Sequence, residues 1–160
     1  MSKLSHIDRQ GKSCMVDVGE KAITQRVAVA QTKVTFPTEV YRQLQQTQLT
    51  SAKGSIVDTA NIAGIMAAKR TADLIPMCHP LPIDFCTLDF TQSDDSCSLL
   101  IRAEVRVTHK TGVEMEALTA ASVAALTVYD MCKALSHDIR IHNLHLVNKT
   151  GGKSDFKMES

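Results

Sequence analysis

Tryptophan is absent from this chain, and only two tyrosines and four phenylalanines are present. Single-stranded nucleic acid is commonly held by stacking its bases on aromatic side chains, so this composition disfavours an RNA-binding module. Neither an RNP nor a KH signature occurs. The formal net charge is only +1, so no global field draws the chain to nucleic acid or to an anionic membrane. No apolar run approaches the roughly 18 residues of a membrane-spanning helix, and no apolar stretch of a secretory leader follows Met1. Asp8, Asp17 and Glu20 come too early for an acid-poor transit peptide. The five cysteines are odd in number, scattered and without a CxxC pair, unlike the even framework of a small secreted domain. These absences make the cytoplasm the expected location and require any anion site to be local.

What is present is ordinary for a globular chain: 160 residues, 44% apolar and 22% charged. Such a length predicts one domain over 1–160, with 1–25 and 150–160 partly flexible, and no repeat or linker interrupts it. The run RVAVAQTKVTF from Arg26 to Phe36, rich in β-branched and small apolar residues, predicts a strand. Pro37 suits the first turn of a short helix from Thr38 to about Gln46. TQLTSAKGS, Thr47 to Ser55, predicts a loop presenting Lys53. A helix follows from about Ser55 to Ala72, with Pro76 beyond its end. Ile62, Ile65 and Met66 lie off the face shared by Ile56, Ala60, Ala63 and Ala67, so this helix is apolar all round and points to burial against another subunit. Strands are expected over Ile83–Thr91 and Cys97–His109, the second alternating from Leu99 to Val107. The richest helix pattern runs from Glu114 to about Ser136, and IRIHNLHLV predicts a last strand. This order matches a split βαβ pattern, an α+β antiparallel sheet with helices on one face.

Three groups of residues suggest chemistry. On the long helix, Glu116, Thr119, Thr127, Asp130 and Lys133 fall within an arc of roughly 120° at 100° per residue. An acid and a lysine one turn apart on so apolar a helix suit proton transfer, although an i,i+3 ion pair at a solvated face explains the same spacing. Burial would lower the lysine pKa, whereas a neighbouring carboxylate would raise it. Lysines also stand beside glycines at Lys53-Gly54, Lys110-Thr111-Gly112 and Lys149-Thr150-Gly151-Gly152-Lys153. Glycine turns let backbone N–H groups approach phosphate while ammonium groups neutralise it, but most such loops are simply solvated and none here is a Walker A motif. Finally, Cys78-His79 between Pro76 and Pro80 holds an imidazole on rigid flanks, suited to acid–base work. No second pair stands at zinc spacing, so no metal site is expected. His137, His142 and His145 form no partner pattern.

Taken together, MVDV (15–18), AGIMAAKRTADLIPMCHPLPI (63–83), KTGVEMEALTAASVAALTVYDMCKA (110–134) and GGKSDFK (151–157) resemble the MoaC family of molybdenum cofactor biosynthesis. The resemblance spans nearly the whole chain, and its tail is one glycine shorter than the family's GGKSGDF. It implies a ferredoxin-like subunit in a hexamer, a trimer of dimers with pockets at subunit interfaces. It also implies a lyase that rearranges a cyclised dihydro-GTP, closes a cyclic phosphate and releases diphosphate. Asp130 matches the family's acid/base residue, and Lys133 and Lys53 match its catalytic lysines. Met77, Cys78 and His79 match one substrate-binding stretch, and Met115 with Glu116 match another. Glu114, Lys69, Arg70, Arg26, Lys149 and Lys153 are expected contacts to the base or the triphosphate. No tightly bound cofactor is expected, and Mg2+ is expected only with the triphosphate. The competing reading is a binding module that senses a nucleotide without turnover.

Overall fold

A computed structural model describes residues 10–159; the expectation of flexible ends therefore lies partly outside the described residues, at 1–9 and 160. The first strand, β1 (Thr24–Thr35), is the middle of the sheet. It pairs antiparallel with β5 (Ser98–His109) along its full length, from Thr24 opposite His109 to Thr35 opposite Ser98. Its other edge pairs antiparallel with β6 (Arg140–Thr150), where register shifts flank Ala30 and Gln31 and Asn143 takes a positive φ of 57°. β4 (Phe85–Ser93) continues the sheet beyond β5, and the two-residue β7 (Phe156–Lys157) caps β6. The order β4-β5-β1-β6-β7 with helices on one face is an α+β, ferredoxin-like arrangement.

The helices are α1 (Thr38–Gln46), α2 (Ile56–Lys69), α3 (Thr71–Leu74) and α4 (Glu114–Cys132). Ser55 caps α2, its hydroxyl accepting from the Asp58 N–H at 3.2 Å. The helix expected through Ala72 breaks at Arg70, whose N–H donates three residues back to Ala67 rather than four. The Thr71 hydroxyl then donates to the Ala67 and Ala68 carbonyls, and a separate turn begins. α4 likewise stops at Cys132 rather than Ser136, because a turn closed by Leu135 N–H on the Cys132 carbonyl brings Ile139 into the core. The predicted loop at Thr47–Ser55 contains a small hairpin, β2 (Thr50–Ser51) and β3 (Gly54–Ser55), with Gly54 at φ 107°.

The core lies between the sheet and α4. Leu99, Ile101, Ala103, Val105 and Val107 point inward from β5, and Ala117, Ala120, Ala121, Ala124 and Ala125 meet them from α4. So many alanines let helix backbones approach closely. At Gly64 of α2 an added Cβ would lie 2.6 Å from Leu88 and 3.0 Å from the Ala120 carbonyl. By contrast Ile62 and Met66 of α2 and Leu126 of α4 stay exposed in the single chain. Among the described residues, no helix is long and apolar enough to cross a membrane. The register brings the start of β1, the end of β5 and the end of β6 to one end of the sheet, beside the N-terminus of α4.

Candidate active site

At that end of the sheet lies a cavity of about 470 Å³. Arg26 enters it from the start of β1, Lys149 from the end of β6, and Lys153 from the glycine turn beyond. Gly151 has φ 84°, and a Cβ there would run into the Gln25 carbonyl, so only glycine lets this turn close against β1. The Thr24 hydroxyl donates to the Gly151 carbonyl at 2.7 Å and completes the closure. One Arg26 nitrogen donates to the Lys110 carbonyl at 3.2 Å, while its Nε is buried without a partner among the described residues. That open donor, together with the ammonium groups, makes this end of the cavity cationic.

The lining also carries Met77, Cys78 and His79 from the loop after α3, and Glu114, Met115 and Glu116 from the first turn of α4. Glu114 pairs with Lys149 at 3.1 Å. Glu116 is only 3% exposed, and no cation among the described residues lies within ion-pair reach of it. Burial pushes its pKa up to about 7, helped by the Glu114 charge and opposed by a bond from its own backbone N–H. Burial also raises the Cys78 thiol, with the Glu116 charge adding to the effect. Acid, base and cation therefore share one enclosure.

Asp130, Lys133 and Lys53 form a separate cluster. Asp130 pairs with Lys133 at 2.6 Å and with Lys53 at 3.0 Å, and all three side chains are about half exposed. Lys53 reaches it from the β2–β3 hairpin, where the Ser51 hydroxyl accepts from its backbone N–H at 3.1 Å. Hydrogen bonds from Lys133 and then Lys53 hold the Asp130 carboxyl below its usual range. Asp130 in turn raises the Lys133 ammonium, so in the single chain the carboxylate outweighs burial. Asp130 lies fourteen residues beyond Glu116 on α4, about 21 Å along the axis at 1.5 Å per residue. The polar stripe foreseen on one face of α4 thus passes from a buried end at Glu116 and Thr119 to an exposed end at Asp130 and Lys133.

Of the remaining expected contacts, Lys69 lines a smaller cavity of about 220 Å³, and Arg70 lines neither. Sequence reasoning quoted Val16 and Val18 within the MVDV string but gave no site role to them or to Lys21, and all three also line the larger cavity. Their segment has no regular element, and only the adjacency of Lys21 to the MVDV string signalled it. Lys110 fixes the segment by donating to the Gly19 carbonyl.

Comparison with known proteins bears on this geometry. Residues 15–152 match the model of the MoaC family. A protein of Xanthomonas oryzae pv. oryzae named cyclic pyranopterin monophosphate synthase is 58% identical over 154 residues, which cover 96% of this chain and 93% of that protein. A protein of the same name from Clostridium botulinum is 47% identical over 153 residues, covering 96% and 95%. Molybdenum cofactor biosynthesis protein 1 of Drosophila melanogaster is 51% identical over 158 residues, which cover 99% of this chain and 28% of that longer protein.

Proposed function

The chain belongs to the MoaC family, and from that premise we propose that it acts as a cyclic pyranopterin monophosphate synthase. It is a lyase of molybdenum cofactor biosynthesis that converts 3',8-cyclo-7,8-dihydro-GTP to cyclic pyranopterin monophosphate and diphosphate. The observation that carries this reading is the set of side chains lining the larger cavity. Its cations, Arg26, Lys149 and Lys153 on a glycine turn, suit a triphosphate; its proton-bearing groups, His79 and Glu116, suit a base undergoing proton transfers. A volume of about 470 Å³ fits a small metabolite.

The cationic end stabilises charge on the departing diphosphate, and His79 and Glu116 stand where protons move on and off the rearranging rings. We assign Asp130 as an acid/base group and Lys133 and Lys53 as its lysine partners. Asp130 lies about 21 Å along α4 from Glu116 within one chain, so the cluster serves this chemistry at the cavity of a second copy. A hexamer built from dimers, with sites at subunit interfaces, provides such an arrangement and covers exposed Leu126, one turn before Asp130. Mg2+ accompanies the triphosphate as part of the substrate. No cluster of three metal-ligating side chains occurs among the described residues, and Glu114 is engaged by Lys149, so phosphate oxygens would supply most of its ligands. A cytoplasmic location suits a chain whose five cysteines remain thiols.

The test is incubation of the purified protein with the cyclised dihydro-GTP, followed by assay of diphosphate and pterin. Release of both in equal amounts is expected. Tight binding without diphosphate would instead favour a nucleotide-sensing module, and neither binding nor turnover by folded protein rejects the assignment.

A further inference from the structure

Glu116 lines both cavities of this end of the molecule, the larger of about 470 Å³ and the smaller of about 220 Å³. Among the described residues, only Leu81 shares that position with it. The smaller cavity lies between α2–α3 and the Pro80–Pro82 segment and is also lined by Ala72, Lys69 and Asp73. Lys69 and Asp73 are exposed, so its rim is charged and faces solvent. A space of that size with charged groups at its rim accommodates several waters.

We propose that Glu116 is a two-sided proton carrier, exchanging protons with substrate in the larger cavity and with water in the smaller one, so that proton traffic bypasses the filled substrate site. This inference rests on the functional reading above and deepens it. In the forward direction the Glu116 carboxylate takes a proton from the substrate and becomes the carboxylic acid. It then passes that proton to a water in the smaller cavity, which delivers it to bulk solvent and leaves the carboxylate restored. Only protons move, and no oxidant, reductant or leaving group is involved.

The surroundings suit both halves of the cycle. Toward the larger cavity Glu116 shares space with Glu114 on its own helix, Cys78 and His79 on the facing loop, and Arg26 and Lys149 from the sheet. Lys149 is paired with Glu114. Toward the smaller cavity it meets Lys69 and Asp73, of opposite sign. Among the described residues no ion pair to Glu116 is formed, and its pKa of about 7 leaves acid and base forms both populated at neutral pH.

The experiment narrows the smaller cavity while leaving the larger one intact. Ala72→Leu and Ala72→Phe place bulk in it at a half-buried position that lines no part of the larger cavity. Expected are a graded fall in kcat, reaching about tenfold for the Phe variant, an unchanged KM, and a larger solvent deuterium isotope effect on kcat as proton exit becomes limiting. Folded variants with wild-type kcat and isotope effect would overturn the proposal. A second measurement needs no folded cavity variant: the Glu116 carboxyl infrared band, identified by its loss in Glu116→Gln, is followed after transfer of wild type to D2O with inorganic triphosphate saturating the larger cavity. Rapid exchange supports the second route, and exchange blocked by the anion sinks it. Wild-type protein that releases no diphosphate would defeat the functional reading instead, so the two failures are distinct.

Discussion

Glu116 and Asp130 are carboxylates on one helix, and their surroundings drive them in opposite directions. Burial lifts Glu116 to about 7 from an ordinary 4.5, whereas two lysines hold exposed Asp130 low. For Glu116 the folded chain binds more protons than the unfolded one between those two values, so its contribution to stability falls as pH rises through that window. Glu116→Gln mimics the protonated form and removes this penalty. Thermal unfolding should therefore show the variant close to wild type at pH 5 and more stable than it at pH 8; a difference that shrinks with rising pH would refute the assignment. Asp130 predicts another pattern. Exposed ion pairs add little to stability, so Asp130→Asn and Lys133→Ala should barely move the melting temperature. Diphosphate release should nevertheless drop by about 100-fold or more, a size typical of a lost acid–base group. Wild-type turnover in either variant would remove these residues from the mechanism.

Between elements, the closest approach is at Gly64, where α2 crosses α4. Glycine to alanine inside a helix ordinarily gains about 1 kcal/mol. Here the new methyl would press on Leu88, which can shift, and on the Ala120 carbonyl, which cannot without moving α4. Overpacking of this kind costs about 1–3 kcal/mol, so Gly64→Ala should be neutral to destabilising and Gly64→Val clearly worse in urea unfolding. A stabilised Gly64→Ala would mean that the helices separate easily. That crossing was not legible in the sequence, because nothing local says which face of Gly64 meets another backbone. The elements themselves were legible where periodicity is long: β5 alternates over nine residues from Leu99 to Val107, and α4 is rich in alanine, leucine and methionine. What escaped notice depends on single hydrogen bonds or brief pairings, such as the Thr71 hydroxyl that separates α3 from α2 and the two-residue β7.

At the scale of the molecule, the sequence pointed to the site's residues but not to their grouping. The cationic end of the cavity exists because Ala28 stands opposite Lys149 and Val27 opposite Thr150, a register that no local motif encodes. The helical arc grouped Glu116 with Asp130 by angle alone, yet about 21 Å of rise separates them, and one is buried while the other is half exposed. One chain therefore presents the larger cavity without the Asp130 cluster in its lining, and symmetry between copies can unite the two. Leu126, 59% exposed one turn before Asp130, marks the face where that contact should form. Leu126→Glu should weaken assembly, measurable by sedimentation. Subunit mixing supplies the sharper test. Lys149→Ala damages the cavity and Asp130→Asn damages the cluster, so each assembly alone should be strongly impaired. Co-expressed at equal levels, they should regain activity at about a quarter of the sites, namely those joining an intact cavity to an intact cluster from a different copy. Mixed assemblies that form by native mass spectrometry but stay inactive would overturn the assignment of the Asp130 cluster to the cavity of a second copy.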